Sequence, residues 1–203
     1  MIGPHDPDGP EIATAPETPQ ASPWNLPNAL TVLRILLVPL FGWLLLTEGG
    51  QDTSMRWWAL LVFLVAILTD WVDGHLARRQ GLITAFGKLM DPIADKALIG
   101  TALVGLSLID LLPWWVTVVI LVREVGITLM RFVVIRRGVI PASKGGKLKT
   151  VLQAVGLSLV MAPLVGWLGD LGLWVMYAAV LVTVLTGVDY VRQALAPGAA
   201  RRA

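Results

Sequence analysis

Apolar stretches long enough to cross a bilayer recur along this chain, separated by short polar breaks. A run of about 20 apolar residues suits a membrane-spanning helix, and the pattern predicts six, over 29–46, 57–78, 88–110, 113–136, 149–168 and 171–192. Together they make an all-α integral membrane domain over 24–193. Residues 1–23 are rich in Pro, Thr, Asp and Glu and hold no apolar run, so they read as a disordered tail. They also lack a basic segment leading into an apolar core, which argues against a signal peptide. A flexible basic tail is expected over 194–203, and no internal repeat stands out.

Composition supports lipid as the second apolar environment. Hydrophobic residues make up 56% of the 203, with a mean hydropathy of +0.72, above the near-half share of a soluble domain. The absence of cysteine excludes disulfides, cysteine-ligated zinc and thiol catalysis. A net charge of +2 is too small to point to nucleic acid. Its distribution says more. The breaks at 47–56, 110–113 and 168–171 hold one basic residue, Arg56. The opposite segments hold Arg78, Arg79, Lys88, Lys96, Arg136, Arg137, Lys144, Lys147, Lys149, Arg192, Arg201 and Arg202. The positive-inside rule therefore places both termini in the cytosol. Most of the nine tryptophans fall near span ends, where amphipathic rings anchor at the interface. Arg34, Arg123 and Arg131 lie within the spans, and a bilayer accepts such residues only where they have a partner or a function.

The acids carry the candidate chemistry. Only Trp57 to Thr69 is uncharged in span two, about 20 Å of helix at ~1.5 Å per residue, so the helix must continue through Asp70, Asp73 and Arg78. Positions 70, 73 and 77 share a face. Asp91 and Asp95, four apart at the start of span three, also share one, with Pro92 suited to a first turn. Chain reversal puts both acid pairs at one depth. Four carboxylates there require protonation or a cation, and hard divalent ions take such oxygen ligands. Gly74 and Gly87 leave room for a substrate. Pairing with Arg34, Arg78, Lys88 and Lys96 alone would not explain two acid pairs and two glycines at the same level.

Asp70-x-x-Asp73-Gly74-x-x-Ala77-Arg78, eight residues, then Gly87-x-x-x-Asp91-x-x-x-Asp95 resembles the signature of the CDP-alcohol phosphotransferase family. The resemblance implies a six-helix membrane fold, two divalent ions (Mg²⁺, with Mn²⁺ an alternative) and transfer of a phosphatidyl group from a CDP-linked lipid to an alcohol. It implies Asp70, Asp73, Asp91 and Asp95 as metal ligands, with Asp95 as general base. CDP-lipid contacts are implied for Asn28, Thr31, Gly74, Ala77, Arg78 and Gly87, together with Asp70 and Asp73.

The stretches Asn25–Arg34, Arg123–Arg131 and Ile140–Thr150 are similar to the phosphatidylglycerophosphate synthase branch. That similarity implies CDP-diacylglycerol as donor and sn-glycerol 3-phosphate as acceptor. Arg123, Arg131, Lys144, Lys147 and Lys149 are the expected phosphate-binding residues, since a phosphorylated acceptor needs cationic donors beside the metal. It also implies a homodimer among membrane lipids in the bacterial cytoplasmic membrane, with the active site facing the cytosol. The alternatives are the same chemistry with phosphatidylglycerol (a cardiolipin synthase) or inositol phosphate as acceptor, and, from another class, a small cation transporter.

Overall fold

The computed structural model describes the backbone of residues 26–80, 84–134 and 144–195. The expected tail at 1–23, the tail expected at 194–203 apart from its first two residues, which are helical, and the side-chain surroundings of Asp73, Gly74, Ala77, Arg78, Arg131 and Lys144 lie outside the described residues. Among those described there are six α-helices and no strand: α1 (Leu26–Leu46), α2 (Thr53–Gln80), α3 (Ala85–Leu108), α4 (Trp114–Val134), α5 (Lys144–Met161) and α6 (Trp167–Leu195). As expected, α2 continues through Asp70, Asp73 and Arg78, and it ends at Gln80.

Local chemistry sets the helix ends. Asp52 caps α2, its Oδ1 accepting from Ser54 N at 2.8 Å and Met55 N at 3.2 Å. Thr84, in an extended conformation, caps α3 by accepting from Gly87 N at 3.0 Å. The break between α1 and α2 is a 3₁₀ turn, Thr47–Gly50, in which Glu48 and Gly49 take positive φ and reverse the chain.

The two largest boundary differences from the hydropathy reading are both in the fifth helix. The fifth helix stops at Met161 rather than near 168, because Pro163 follows and has no N–H to continue the ladder. It also starts at Lys144, so Lys147 and Lys149 stand on its first turns instead of in a loop.

Arg56 secures the far end of α5, its Nε donating to Met161 O at 3.2 Å and its Nη2 to Val160 O and Ala162 O at 3.3 and 3.4 Å. A cation is favourable at a helix C-terminus. The same contacts place the start of α2 beside the end of α5.

α5 packs most intimately on α6, and α1 runs between α2 and α3. Glycine makes the first contact close: a Cβ on Gly172 would sit 2.7 Å from Val160 N, and one on Gly156 2.7 Å from Met176 Sδ. Small residues of this kind let membrane helices approach. Phe41, Leu45, Phe63, Leu103, Leu106, Ile120, Leu157, Met161 and Met176 fill the centre. Ser107 and Thr117 share a buried 2.7 Å hydrogen bond between α3 and α4.

The outside is apolar as well, with Leu36, Leu68, Val122, Leu129, Leu181 and Leu185 all exposed. So wide an exposed apolar surface is stable against lipid rather than water. Three stretches, Asn28–Gly50, Thr53–Val72 and Trp167–Arg192, are long and apolar enough to cross a membrane by themselves. The other three helices carry further charged residues: Asp91, Asp95 and Lys96 on α3, Arg123 and Glu124 on α4, Lys147 and Lys149 on α5. The molecule is a multi-pass membrane protein.

Candidate active site

A polar stripe on α1 organises the first half of the site. Asn28, Thr31 and Arg34, three residues apart, face inward in an otherwise apolar helix and are buried, Arg34 completely. Each reaches a neighbouring helix. Arg34 Nη1 lies 2.6 Å from Asp70 Oδ1 on α2. Thr31 Oγ1 donates to Asp91 Oδ1 on α3 at 2.6 Å. Asn28 Oδ1 accepts from the Thr84 hydroxyl at 2.8 Å, the same oxygen that caps α3. One helix face thus fixes an acid from each of the two pairs at one level of the bundle, with the Asp70 side chain still 47% exposed.

Gly87 is buried beneath this stripe. A Cβ there would lie 3.0 Å from Asn28 Oδ1, 3.3 Å from Thr84 Oγ1 and 3.8 Å from Asp91 Oδ2. The room its missing side chain leaves is therefore taken by α1.

The second half of the site is a pocket of about 280 Å³ between α3, α4 and α5. Its polar walls are Asp95 and Lys96 from α3, Glu124 and Thr128 from α4, and Lys149 and Gln153 from α5. Asp91 and Asp95 share a face by sequence but serve different neighbours. An i, i+4 step leaves about 40° of rotation at 3.6 residues per turn. That offset sends Asp91 to α1 and Asp95 to the pocket. Asp95 nevertheless interacts electrostatically with Asp70 and Arg34 on one side and with Glu124 and Lys149 on the other, so it joins the two halves.

Glu124 is the hub of the pocket's ion pairs. Its Oε1 takes Lys149 Nζ and also Arg123 Nη1, the latter at 3.1 Å. Lys149 is buried against it, 7% exposed. Arg123 turns away, its Nη2 donating to Thr186 Oγ1 on α6 at 3.3 Å. It lines a separate apolar groove between α4 and α6. Of the expected phosphate-binding residues, then, Lys149 lines the pocket, Arg123 reaches it only through Glu124, and Lys147 is exposed. Arg131 and Lys144 fall outside the described side chains.

The sequence reading gave Arg34 and Lys96 only as possible partners of the acids and assigned no part to Thr84, Glu124 or Gln153. Thr84 had a signal, a capping residue three positions before Gly87. Lys96 had one too, as a charge beside Asp95. The pairings across helices had none.

The donor set suits a hard divalent cation. Asp70 and Asp91 present carboxylates at one level, each oriented by a hydrogen-bonding partner on α1, as ligating carboxylates usually are. Among the described residues no group of three acids closes on one point; Asp73, one helical turn beyond Asp70, is the further acid of that motif.

Fold and site together define a multi-pass membrane protein with carboxylate chemistry at one end of its bundle. The chain belongs to the CDP-alcohol phosphatidyltransferase family, whose model matches residues 24–185. The family uses divalent metals. A Mycobacterium tuberculosis protein named "Probable phosphatidylglycerophosphate synthase" is 53% identical over 188 residues, covering 91% of this chain and 90% of that protein. A Bacillus subtilis CDP-diacylglycerol–glycerol-3-phosphate 3-phosphatidyltransferase is 39% identical over 183 residues, 82% of this chain and 93% of the relative. A CMP-forming cardiolipin synthase of Streptomyces coelicolor is 37% identical over 142 residues, with coverages of 70% and 66%.

Proposed function

We propose that this chain transfers the phosphatidyl group of CDP-diacylglycerol to the 1-hydroxyl of sn-glycerol 3-phosphate, releasing CMP. The observation that carries the reading is the placement of Asp95. It lies on the wall of a small pocket that also holds Lys96 and Lys149, and within electrostatic range of Asp70, the acid held by α1. The names of the 53% and 39% identical relatives support the same activity.

Asp70, Asp73 and Asp91, with Asp95 at their edge, are the residues that would hold two Mg²⁺ ions. Metal bound there supplies charge neutralisation of the diphosphate and of the departing CMP. Asn28, Thr31 and Arg78 contact the diphosphate, and the Gly74–Ala77 turn the cytosine. With Asn28 over Gly87, that glycine contributes by letting α1 approach. Asp95 accepts the proton of the glycerol 1-hydroxyl while its oxygen bonds to the lipid-side phosphorus and the phosphorus–oxygen bond to CMP breaks. Lys149 binds the acceptor phosphate, with Arg123 behind Glu124, and Lys147, Lys144 and Arg131 complete the expected phosphate-binding set.

A pocket of about 280 Å³ is at the small end of ligand sites, which favours a free glycerol phosphate over a lipid acceptor. The basic surplus on the site's side of the bundle orients it to the cytosol, in a bacterial cytoplasmic membrane.

CMP release by the purified protein in CDP-diacylglycerol micelles with Mg²⁺ tests the proposal. Release with sn-glycerol 3-phosphate, and far less with phosphatidylglycerol or inositol phosphate, is expected. Release with phosphatidylglycerol alone would make it a cardiolipin synthase. Cation flux without any CMP release would make it a transporter.

A further inference from the structure

The acceptor pocket's ion pairs leave one cation over. Glu124 is shared by Lys149 and Arg123 through a single oxygen. Lys96, on the opposite wall, pairs with no carboxylate among the described residues; its Nζ donates to Thr128 Oγ1. That hydroxyl donates its own proton to Glu124 O at 2.7 Å, so only its lone pairs face Lys96. A neutral hydroxyl orients the ammonium without neutralising it, and an ammonium has three donors. Within the pocket two cations, Lys96 and Lys149, face two acids, Asp95 and Glu124, and Glu124 is already shared by Lys149 and by Arg123 from outside it.

We propose that Lys96 is a specificity-determining residue for the acceptor. On this view the dianionic phosphate of the alcohol docks between Lys96 on α3 and Lys149 on α5. Thr128 holds Lys96 in place before the substrate arrives. The inference rests on the acceptor reading given above and adds the residue that makes the pocket choose a phosphorylated alcohol over a neutral one. The preceding residue along the chain is Asp95, so one turn of α3 supplies both the proposed base for the hydroxyl and a grip on the far end of the same small molecule.

Lys96→Gln removes the charge and keeps a hydrogen-bond donor for Thr128. A charge-assisted hydrogen bond in such a site corresponds to about a ten- to hundredfold change in binding. The KM for sn-glycerol 3-phosphate should therefore rise by about that factor, with kcat and the KM for CDP-diacylglycerol changed far less. Competitive inhibition by inorganic phosphate should weaken in parallel, and Lys96→Arg should retain most of the affinity.

The chain has no cysteine, which permits a second variant should Lys96→Gln fold poorly. Lys96→Cys can be alkylated in the membrane with 2-bromoethylamine, which rebuilds an ammonium of nearly lysine length. Recovery of the KM on alkylation supports the proposal. An unchanged KM and unchanged phosphate inhibition in Lys96→Gln would overturn it, as would a fall confined to kcat or to thermal stability. Wild-type protein that releases no CMP with sn-glycerol 3-phosphate would instead overturn the acceptor reading, so the two failures are distinguishable.

Discussion

Gly87→Ala separates two explanations of a motif glycine, one in which it makes room for substrate and one in which it makes room for α1. The added methyl carbon would lie 3.0 Å from Asn28 Oδ1 and 3.3 Å from Thr84 Oγ1. Asn28 must give by a few tenths of an ångström, at the expense of the 2.8 Å hydrogen bond it accepts from Thr84. Weakening that bond costs up to about 1 kcal/mol, while replacing glycine by alanine inside a helix returns roughly 0.5–1 kcal/mol. The two nearly cancel, so thermal unfolding in detergent should shift by no more than about 2–4 °C. Activity should not be spared. Misplacement of a positioning group by up to 1 Å can cost about a hundredfold, and a shift of a few tenths should cost on the order of tenfold in kcat/KM for CDP-diacylglycerol, read as CMP release. The decisive measurement is the cycle with Asn28→Ala. If Gly87 matters because Asn28 lies over it, Gly87→Ala should have little further effect once the carboxamide is gone. An undiminished loss in the Asn28→Ala background would refute this reasoning and return the space at Gly87 to the substrate.

Asp95→Asn should abolish CMP release while CDP-diacylglycerol still binds, measured by equilibrium binding of the labelled lipid; residual turnover near the wild-type rate would remove Asp95 as the base. Arg123→Gln and Glu124→Gln should each raise the KM for sn-glycerol 3-phosphate, and the double variant should be no worse than the poorer single one, because both act through Lys149; additive losses would show that Arg123 binds phosphate directly. Gly172→Ala should destabilise the protein by about 1–3 kcal/mol, since the backbone of Val160 at 2.7 Å cannot rotate away. Gly126→Ala is the comparison, with nothing within 4 Å of the new carbon and a gain of up to about 1 kcal/mol from helix propensity; chemical denaturation in mixed micelles reads both.

Hydropathy made the positions of the helices legible because a long apolar run is local in sequence, though only three stretches, in α1, α2 and α6, are apolar enough to cross a membrane by themselves. The spacing of Asp70, Asp73, Asp91 and Asp95 was readable in the same local way, since a helix converts separation into a shared face, but Asp91 and Asp95 divide between α1 and the pocket. What failed was whatever depends on a second helix. The lysines at 147 and 149 looked like loop residues because charge ends an apolar window, yet Lys149 is buried against Glu124, 25 residues upstream. Arg123 looked like a phosphate ligand because an intramembrane arginine demands an anion. The structure supplies that anion from the adjacent residue and sends the rest of the guanidinium to Thr186 on α6. No periodicity encodes such pairings, and only the packing of α4 against α5 and α6 decides them.

That packing also accounts for how such charged helices are kept within the bundle. α1, α2 and α6 contain the three stretches apolar enough to cross a membrane without help. α3, α4 and α5 supply the pocket and carry the charges that work against their own insertion. Each finds its partners across the bundle. α3 has Asp91 held by Thr31 of α1 and Lys96 by Thr128 of α4. α5 has Lys149 on Glu124 and Gln153 on Thr183 of α6, and its glycine contact at Gly172 brings α6 close. The polar groups that would do the chemistry are therefore the groups that hold the charged helices together. Substitutions at Glu124 or Thr31 should consequently disturb activity and helix association at once, whereas Lys96, whose one hydrogen bond among the described residues is to a hydroxyl, is where the two effects should come apart.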